Sequence, residues 1–370
     1  MSSQTASAGL EQQTAAAGKP PAEQRYLALD AFRGFIMIML ASEGFGFGRL
    51  VDHSAYGWIA RQFEHVRWEG LVFWDLIQPS FMFMVGVAMP FAFAKRTALG
   101  ATSADNFHHV LARFFKLVLL SQVLISIADG ALSFQLINVL SQIAFTYLFC
   151  YLLMQLPFRA QAMAAALILL VHWGLFLLFP GPDGAFSKTD NIGAVIDRTL
   201  GLRFGGYYVT INFISSTVTT LFGVWTGLLF RSDRSRAQKM KILAGSMVAC
   251  WAGGLALSLV NPMVKRLWTA SFTLYSTGCV LLMMLIFFVL IEVAGWRRLA
   301  FPFLVVGSNS IFIYSLSMVL SGWIRRAVGV FTGEFRWMGD LQPVALYTAG
   351  VLVMWYCCYW LYRRKIFLRL

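Results

Sequence analysis

From residue 28 onward the chain is dominated by long apolar runs separated by short polar segments. A helix rising 1.5 Å per residue needs about 20 apolar residues to cross the hydrocarbon of a bilayer. On that measure the pattern predicts helices over residues 28–49, 71–94, 109–129, 138–156, 160–180, 210–230, 240–260, 269–293, 301–324 and 342–362. The expected fold class is all-α, a polytopic membrane protein of about ten transmembrane helices. Residues 1–24, rich in Ala, Gln, Ser, Thr and Gly without apolar periodicity, are expected to form a disordered tail. Residues 25–370 then make a single transmembrane domain. The tail lacks the basic start and apolar core of a signal peptide, so the first run is expected to be an uncleaved anchor.

Composition agrees with that pattern. Hydrophobic residues are 58% of the 370 positions, charged residues only 13%, and the mean hydropathy is +0.67. This much apolar surface excludes a sizeable soluble catalytic domain. The net charge of +13 does not point to nucleic acid, because the Lys and Arg residues mostly lie in the short segments between apolar runs, where they orient helices. They are denser on the side shared by the two termini, which is expected to be cytoplasmic. The long connections 50–70 and 181–209 then face the periplasm or a lumen.

The five cysteines have neither metal nor disulfide spacing, and His108-His109 has no i, i+4 partner, so no metal is expected. There is no P-loop or dinucleotide fingerprint. Gly223 and Gly227 fit close helix packing. His172-Trp173 reads as a packed pair.

Ionisable groups inside a spanning helix are costly, so each is a functional candidate. Asp30 and Arg33, three apart on one helix face, either pair with each other or leave Arg33 for an anionic ligand. Glu43 lies about 15 Å further along, followed by the glycine-rich stretch to Gly48, and is a catalytic candidate or a buried structural carboxyl. The segment Phe63-Glu64-His65-Val66-Arg67-Trp68-Glu69-Gly70 leads into the second run. His65 there can take a proton from a nucleophile or carry an acyl group. Asp75, about one to two turns into the second run, is placed to orient that imidazole, and Pro79 is expected to kink the helix beside it. Acid, base and orienter together form an acyl-transfer pattern. Arg113 and Lys116, and the polar trio Ser308, Asn309 and Ser310 inside the ninth run, are candidates for holding an anionic ligand with a long polar arm.

The segment Arg25-Tyr26-Leu27-Ala28-Leu29-Asp30-Ala31-Phe32-Arg33-Gly34, then His65, Trp68 and Gly70, then Asp75-Leu76-Ile77-Gln78-Pro79-Ser80-Phe81, resembles the heparan-α-glucosaminide N-acetyltransferase family and its bacterial relatives. The likeness continues through Asn261-Pro262 to Leu267-Trp268-Thr269, Gly307-Ser308-Asn309-Ser310-Ile311 and Leu361 to Phe367. It implies transfer of an acetyl group from cytoplasmic acetyl-CoA to an amino sugar or other glycan outside the cytoplasm. The catalytic residues it implies are His65 and Asp75, and Glu43 is expected beside them from its similar depth along the first helix. Acetyl-CoA would be held by Arg33, Asp30, Arg113, Lys116, Ser308, Asn309 and Ser310, and the acceptor by Trp68, Glu69 and Trp268. The implied location is a bacterial inner membrane or an organelle membrane, with lipids as partners and a homodimer left open. The chain departs from the family where Glu43 and Glu69 stand at or beside positions commonly Asn, which bears on acceptor choice. A proton-coupled transporter or flippase is the alternative reading of the same buried charges.

Overall fold

The computed structural model describes residues 26–202 and 206–368, and every regular element among them is helical. The tail 1–24, Arg25, Arg203 and Arg369 lie outside the described residues. The main helices are α1 (Leu27–Ala41), α2 (Ile77–Ala98), α3 (Ser103–Asp129), α4 (Val139–Met154), α5 (Phe158–Leu178) and α6 (Ile192–Thr199). They continue with α7 (Asn212–Arg231), α8 (Arg236–Ser258), α9 (Ala270–Phe288), α10 (Arg297–Gly307), α11 (Ser310–Thr332) and α12 (Gln342–Arg363). Local chemistry sets many of their starts. Thr102, Asn138, Asn191 and Ser235 each accept an exposed N–H of the following turn.

Seven segments among the described residues are long and apolar enough to cross a membrane, the last of them the 54-residue stretch Ser310–Arg363. That stretch contains α11 and α12, joined by the irregular turn Gly333–Leu341. The expected count of about ten is not reached on length and composition, because the last two predicted runs fall in that one stretch and two other helices are short. α1 has 15 residues because regular helix stops at Ala41, and α4 has 16. The predicted run 301–324 is broken at Ser308-Asn309 into the 11-residue α10 and the 23-residue α11.

Helices approach most closely where side chains are absent. On α7, a Cβ at Gly223 would lie 2.0 Å from the Phe83 carbonyl oxygen of α2, and Gly227 meets the Val87 carbonyl. The Gly223 to Gly227 spacing therefore packs α7 on α2. In the same way, Gly34 of α1 abuts the Phe303 carbonyl and Gly307 of α10 abuts the Asp30 carbonyl. Phe32, Phe83, Phe230, Phe272, Phe288 and Trp268 fill the core between these helices. Pro79 does not kink α2. It falls in the first turn, where its missing N–H has no intrahelical partner to lose. His172 is fully buried against Phe176, with ring centroids 5.0 Å apart, yet its Nε2 has no hydrogen-bond partner among the described residues.

Candidate functional site

Asp75 sits in a short turn, Phe73–Leu76, that runs directly into α2. Its side chain is 1% exposed. Oδ2 accepts the Val66 and Val72 N–H groups, each at 3.4 Å. Oδ1 faces two nitrogens: His65 Nδ1 at 2.6 Å and Lys265 Nζ at 3.3 Å. A carboxylate at a helix N-terminus also gains from the helix dipole. The pair His65–Asp75 is legible because the two lie only ten positions apart and a glycine at the bend between them brings the chain back on itself. Gly70, at φ +110°, makes that bend, and its N–H donates to the Met263 carbonyl at 2.9 Å.

Lys265 stands in the sequence as one of the many Lys and Arg residues of the short connections. It reaches the site from the connection between α8 and α9, which is folded tightly on itself. The Trp268 N–H donates to the Lys265 carbonyl, the Thr269 N–H to the Val264 carbonyl, and Thr269 Oγ1 to the Pro262 carbonyl. Trp268, at φ +55°, closes this turn and is fully buried. Its indole N–H donates to Thr219 Oγ1 at 3.3 Å, and its carbonyl accepts from the Ser215 hydroxyl. Trp268 thus faces the core rather than an acceptor, and its visible work is to anchor the loop that delivers Lys265. Nothing in the local sequence marked Lys265 as buried, since Arg266 beside it carries the same charge and is partly exposed.

The imidazole of His65 is 43% exposed. With Nδ1 held against Asp75, Nε2 has no hydrogen bond among the described residues. A lysine ammonium can only donate, so the short contact to Asp75 is best made by an Nδ1–H. That tautomer leaves the Nε2 lone pair outward, available to take a proton. Trp68 lies in the same loop, its indole N–H donating to the Phe186 carbonyl at 2.9 Å, with Arg266 and Lys188 over its ring at 5.8 and 5.9 Å. Glu69 is exposed beside it.

Glu43 makes no hydrogen bond to His65 or Asp75 among the described residues, and its partners lie on another helix. Regular helix ends before it, and Glu43, Gly44, Phe45 and Gly46 all have positive φ, between 48° and 70°. This left-handed run turns Glu43 toward α11, where Arg325 Nη1 donates to its Oε1 at 2.5 Å and Ser321 Oγ at 3.0 Å. The glycines of this stretch lie close against other parts of the protein: Gly44 packs on Phe63 and Gly46 on the Tyr347 ring.

The residues expected to hold an anionic donor divide into two places. Arg33 Nη2 donates to Asp30 Oδ1 at 2.8 Å, and its Nε donates to the Gly307 carbonyl at 3.1 Å. Arg33 therefore reaches the break between α10 and α11, where Ser308, Asn309 and Ser310 lie. Ser308 and Ser310 donate back to the Val305 and Gly307 carbonyls. Asn309 is fully buried, its amide donating to the Ile366 carbonyl and accepting the Leu368 N–H. It ties down the segment after α12 rather than lining a path inside an unbroken helix. Arg113 is elsewhere, its guanidinium 4.8 Å from the Tyr147 ring and its Nε buried without a partner among the described residues. Lys116 is exposed on α3. No three His, Cys, Asp or Glu residues gather as a metal site among the described residues.

Fold and site together define an all-helical integral membrane protein with a buried carboxylate, an accessible imidazole and a buried ammonium at one end of its bundle. No family model matches the chain. Against known proteins it is 22% identical to human heparan-alpha-glucosaminide N-acetyltransferase over 415 aligned positions, which cover 93% of this chain and 59% of that protein. The similarity marks a distant relationship running through most of the chain, and the chain spans about three fifths of the length of the relative it matches.

Proposed function

We propose that this protein is a membrane-embedded acyltransferase that moves an acetyl group from acetyl-CoA to a sugar or glycan acceptor, with His65 as the base. The observation that carries the reading is His65 itself: Nδ1 is tethered to a buried carboxylate at 2.6 Å while the ring stays open to solvent. Similarity to an enzyme whose name states N-acetyl transfer to glucosaminide supplies the reaction class. In this reading the acceptor amine or hydroxyl attacks the thioester carbonyl, Nε2 takes the proton it loses, and the departing thiolate recovers that proton. Asp75 holds the tautomer and balances the imidazolium formed in between. Arg33, at the α10–α11 break, and Arg113 are the cations best placed to meet donor phosphates. With α11 and α12 counted separately, the shorter helices α1 and α4 complete ten crossings in this reading, with both termini in the cytoplasm and residues 25–370 acting as one domain.

The test is acetyl transfer in proteoliposomes, with labelled acetyl-CoA on one side and a panel of amino sugars on the other. Wild-type protein transfers label and His65→Ala does not, while calorimetry finds equal acetyl-CoA affinity for both. Near-wild-type turnover by His65→Ala overturns the assignment of the base, and no acetyl-CoA binding by wild-type protein overturns the reaction class.

A further inference from the structure

We infer that Lys265 is a positioning residue for His65: it supplies the one positive charge the buried Asp75 carboxylate needs, and so holds the resting imidazole neutral with its proton on Nδ1. The inference deepens the proposed function and rests on His65 serving as a base. The argument begins with charge balance. Asp75 is 1% exposed and the Lys265 side chain 6%, so neither charge is dissolved by water, and each is tolerable only through the other. Two cations are candidates for pairing with that single carboxylate, because Lys265 Nζ lies 3.3 Å from Asp75 Oδ1 and 3.3 Å from His65 Nδ1. An imidazolium at His65 would place a second positive charge 3.3 Å from the buried ammonium and leave the trio with a net charge of about +1, a like-charge contact that disfavours the charged ring. With Lys265 as the partner, the trio is electrically balanced and His65 has only to donate a hydrogen bond.

The other charged side chains of the two loops do not alter this balance. Glu64, Arg67, Glu69 and Arg266 make no hydrogen bond or ion pair to His65 among the described residues, and Arg266 donates to the Arg67 carbonyl instead. The arrangement also differs from a two-member histidine–carboxylate pair. In such a pair the ring is the carboxylate's only cationic partner, so the full negative charge beside it favours an added proton on the ring. Here the ammonium satisfies the carboxylate beforehand, so the ring begins with an open Nε2 lone pair, which suits a base.

The experiment reads the ring directly. The chain has five histidines, few enough to assign His65 in ¹⁵N-histidine-labelled protein by comparison with His65→Ala. Two-bond ¹H–¹⁵N spectra of wild-type protein at pH 7 are expected to show a neutral Nδ1–H ring. Lys265→Met is expected to show both nitrogens protonated, with kcat for acetyl transfer at least tenfold lower and acetyl-CoA affinity unchanged, and Lys265→Arg is expected to restore the neutral ring. A neutral Nδ1–H ring in Lys265→Met, or an imidazolium in wild type, overturns the inference. The wild-type spectrum decides alone if Lys265→Met does not fold. If the spectra behave as stated but wild-type protein transfers no acetyl group to any acceptor, the proposed function fails while the charge assignment stands.

Discussion

Asp75 and Glu43 lie on neighbouring parts of the molecule, each at an end of an apolar helix, and the packing of Gly44 on Phe63 brings Glu43 close to the loop that carries His65. One carboxylate is 1% exposed and the other 44%. Asp75 is surrounded by an imidazole, an ammonium and two backbone N–H groups, and nearly all its capacity as an acceptor is used. Glu43 meets a guanidinium and a hydroxyl in reach of water. The difference teaches that burial, not depth along a helix, decides what a carboxylate contributes. A half-exposed ion pair is screened and adds little, whereas a buried one is costly to break because the surviving charge has no water to return to.

The comparison is broken most severely at Asp75. Asp75→Ala strands the Lys265 ammonium, and the expected loss is about 3–5 kcal/mol of stability, read by denaturation in detergent. Asp75→Asn keeps the shape but not the charge. By the physics of triad carboxylates it is expected to lower kcat by about 10²-fold or more, and a turnover equal to wild type would reduce Asp75 to a packing role.

Arg33→Ala tests whether the opposite part of α1 meets the donor. Losing a charge-assisted contact to phosphate is expected to cost about 1.5–3 kcal/mol, more than tenfold in the acetyl-CoA dissociation constant by calorimetry. Equal constants would leave Arg33 with a structural role, bonded to Asp30 and the Gly307 carbonyl.

A third carboxylate sharpens the contrast. Asp197, on α6 outside the spanning segments, is fully buried like Asp75 but has no ion pair to a cation among the described residues, and it accepts the Thr210 N–H at 2.8 Å. Burial pushes its carboxyl above the usual range. A carboxyl raised in the folded state loses its proton later than in the unfolded chain, so its contribution to stability falls as pH rises from the unfolded value near 3.8 through the folded one. Asp197→Asn is therefore expected to melt higher than wild type at pH 7, with the advantage gone below about pH 3.8. A difference independent of pH would show the carboxyl to be compensated.

The smallest effect is expected at Glu43. Glu43→Gln retains an acceptor for Arg325 and Ser321, so stability should change by less than about 1 kcal/mol and turnover by less than about threefold. A changed acceptor profile across amino sugars would show that the carboxylate leaves Arg325 to meet substrate.

Much of this architecture was legible from local pattern. Apolar runs predicted most of the long helices, because a spanning helix satisfies its own backbone and needs only enough apolar residues in sequence. His65 and Asp75 were readable as a pair because the chain between them is short. The Gly223 to Gly227 spacing foretold a close crossing because small residues admit a neighbouring backbone wherever that neighbour comes from. The breaks were harder. The polar trio centred on Asn309 interrupts an otherwise apolar run, and the Asn309 amide bonds at the break to residues near 366, which no window around residue 309 contains.

What the sequence by itself determined is therefore what depends on neighbours along the chain: helix class, most helix positions, caps, and one histidine–aspartate contact. Tertiary structure alone decided which charges meet. Lys265 reaches His65 from 200 residues away, and Glu43 is drawn to Arg325 by a left-handed turn that points it at α11. The physical reason is that an ion pair has no periodicity to read. Its existence depends on a few ångströms of separation and on how much water is excluded, and both are set only when distant helices have packed.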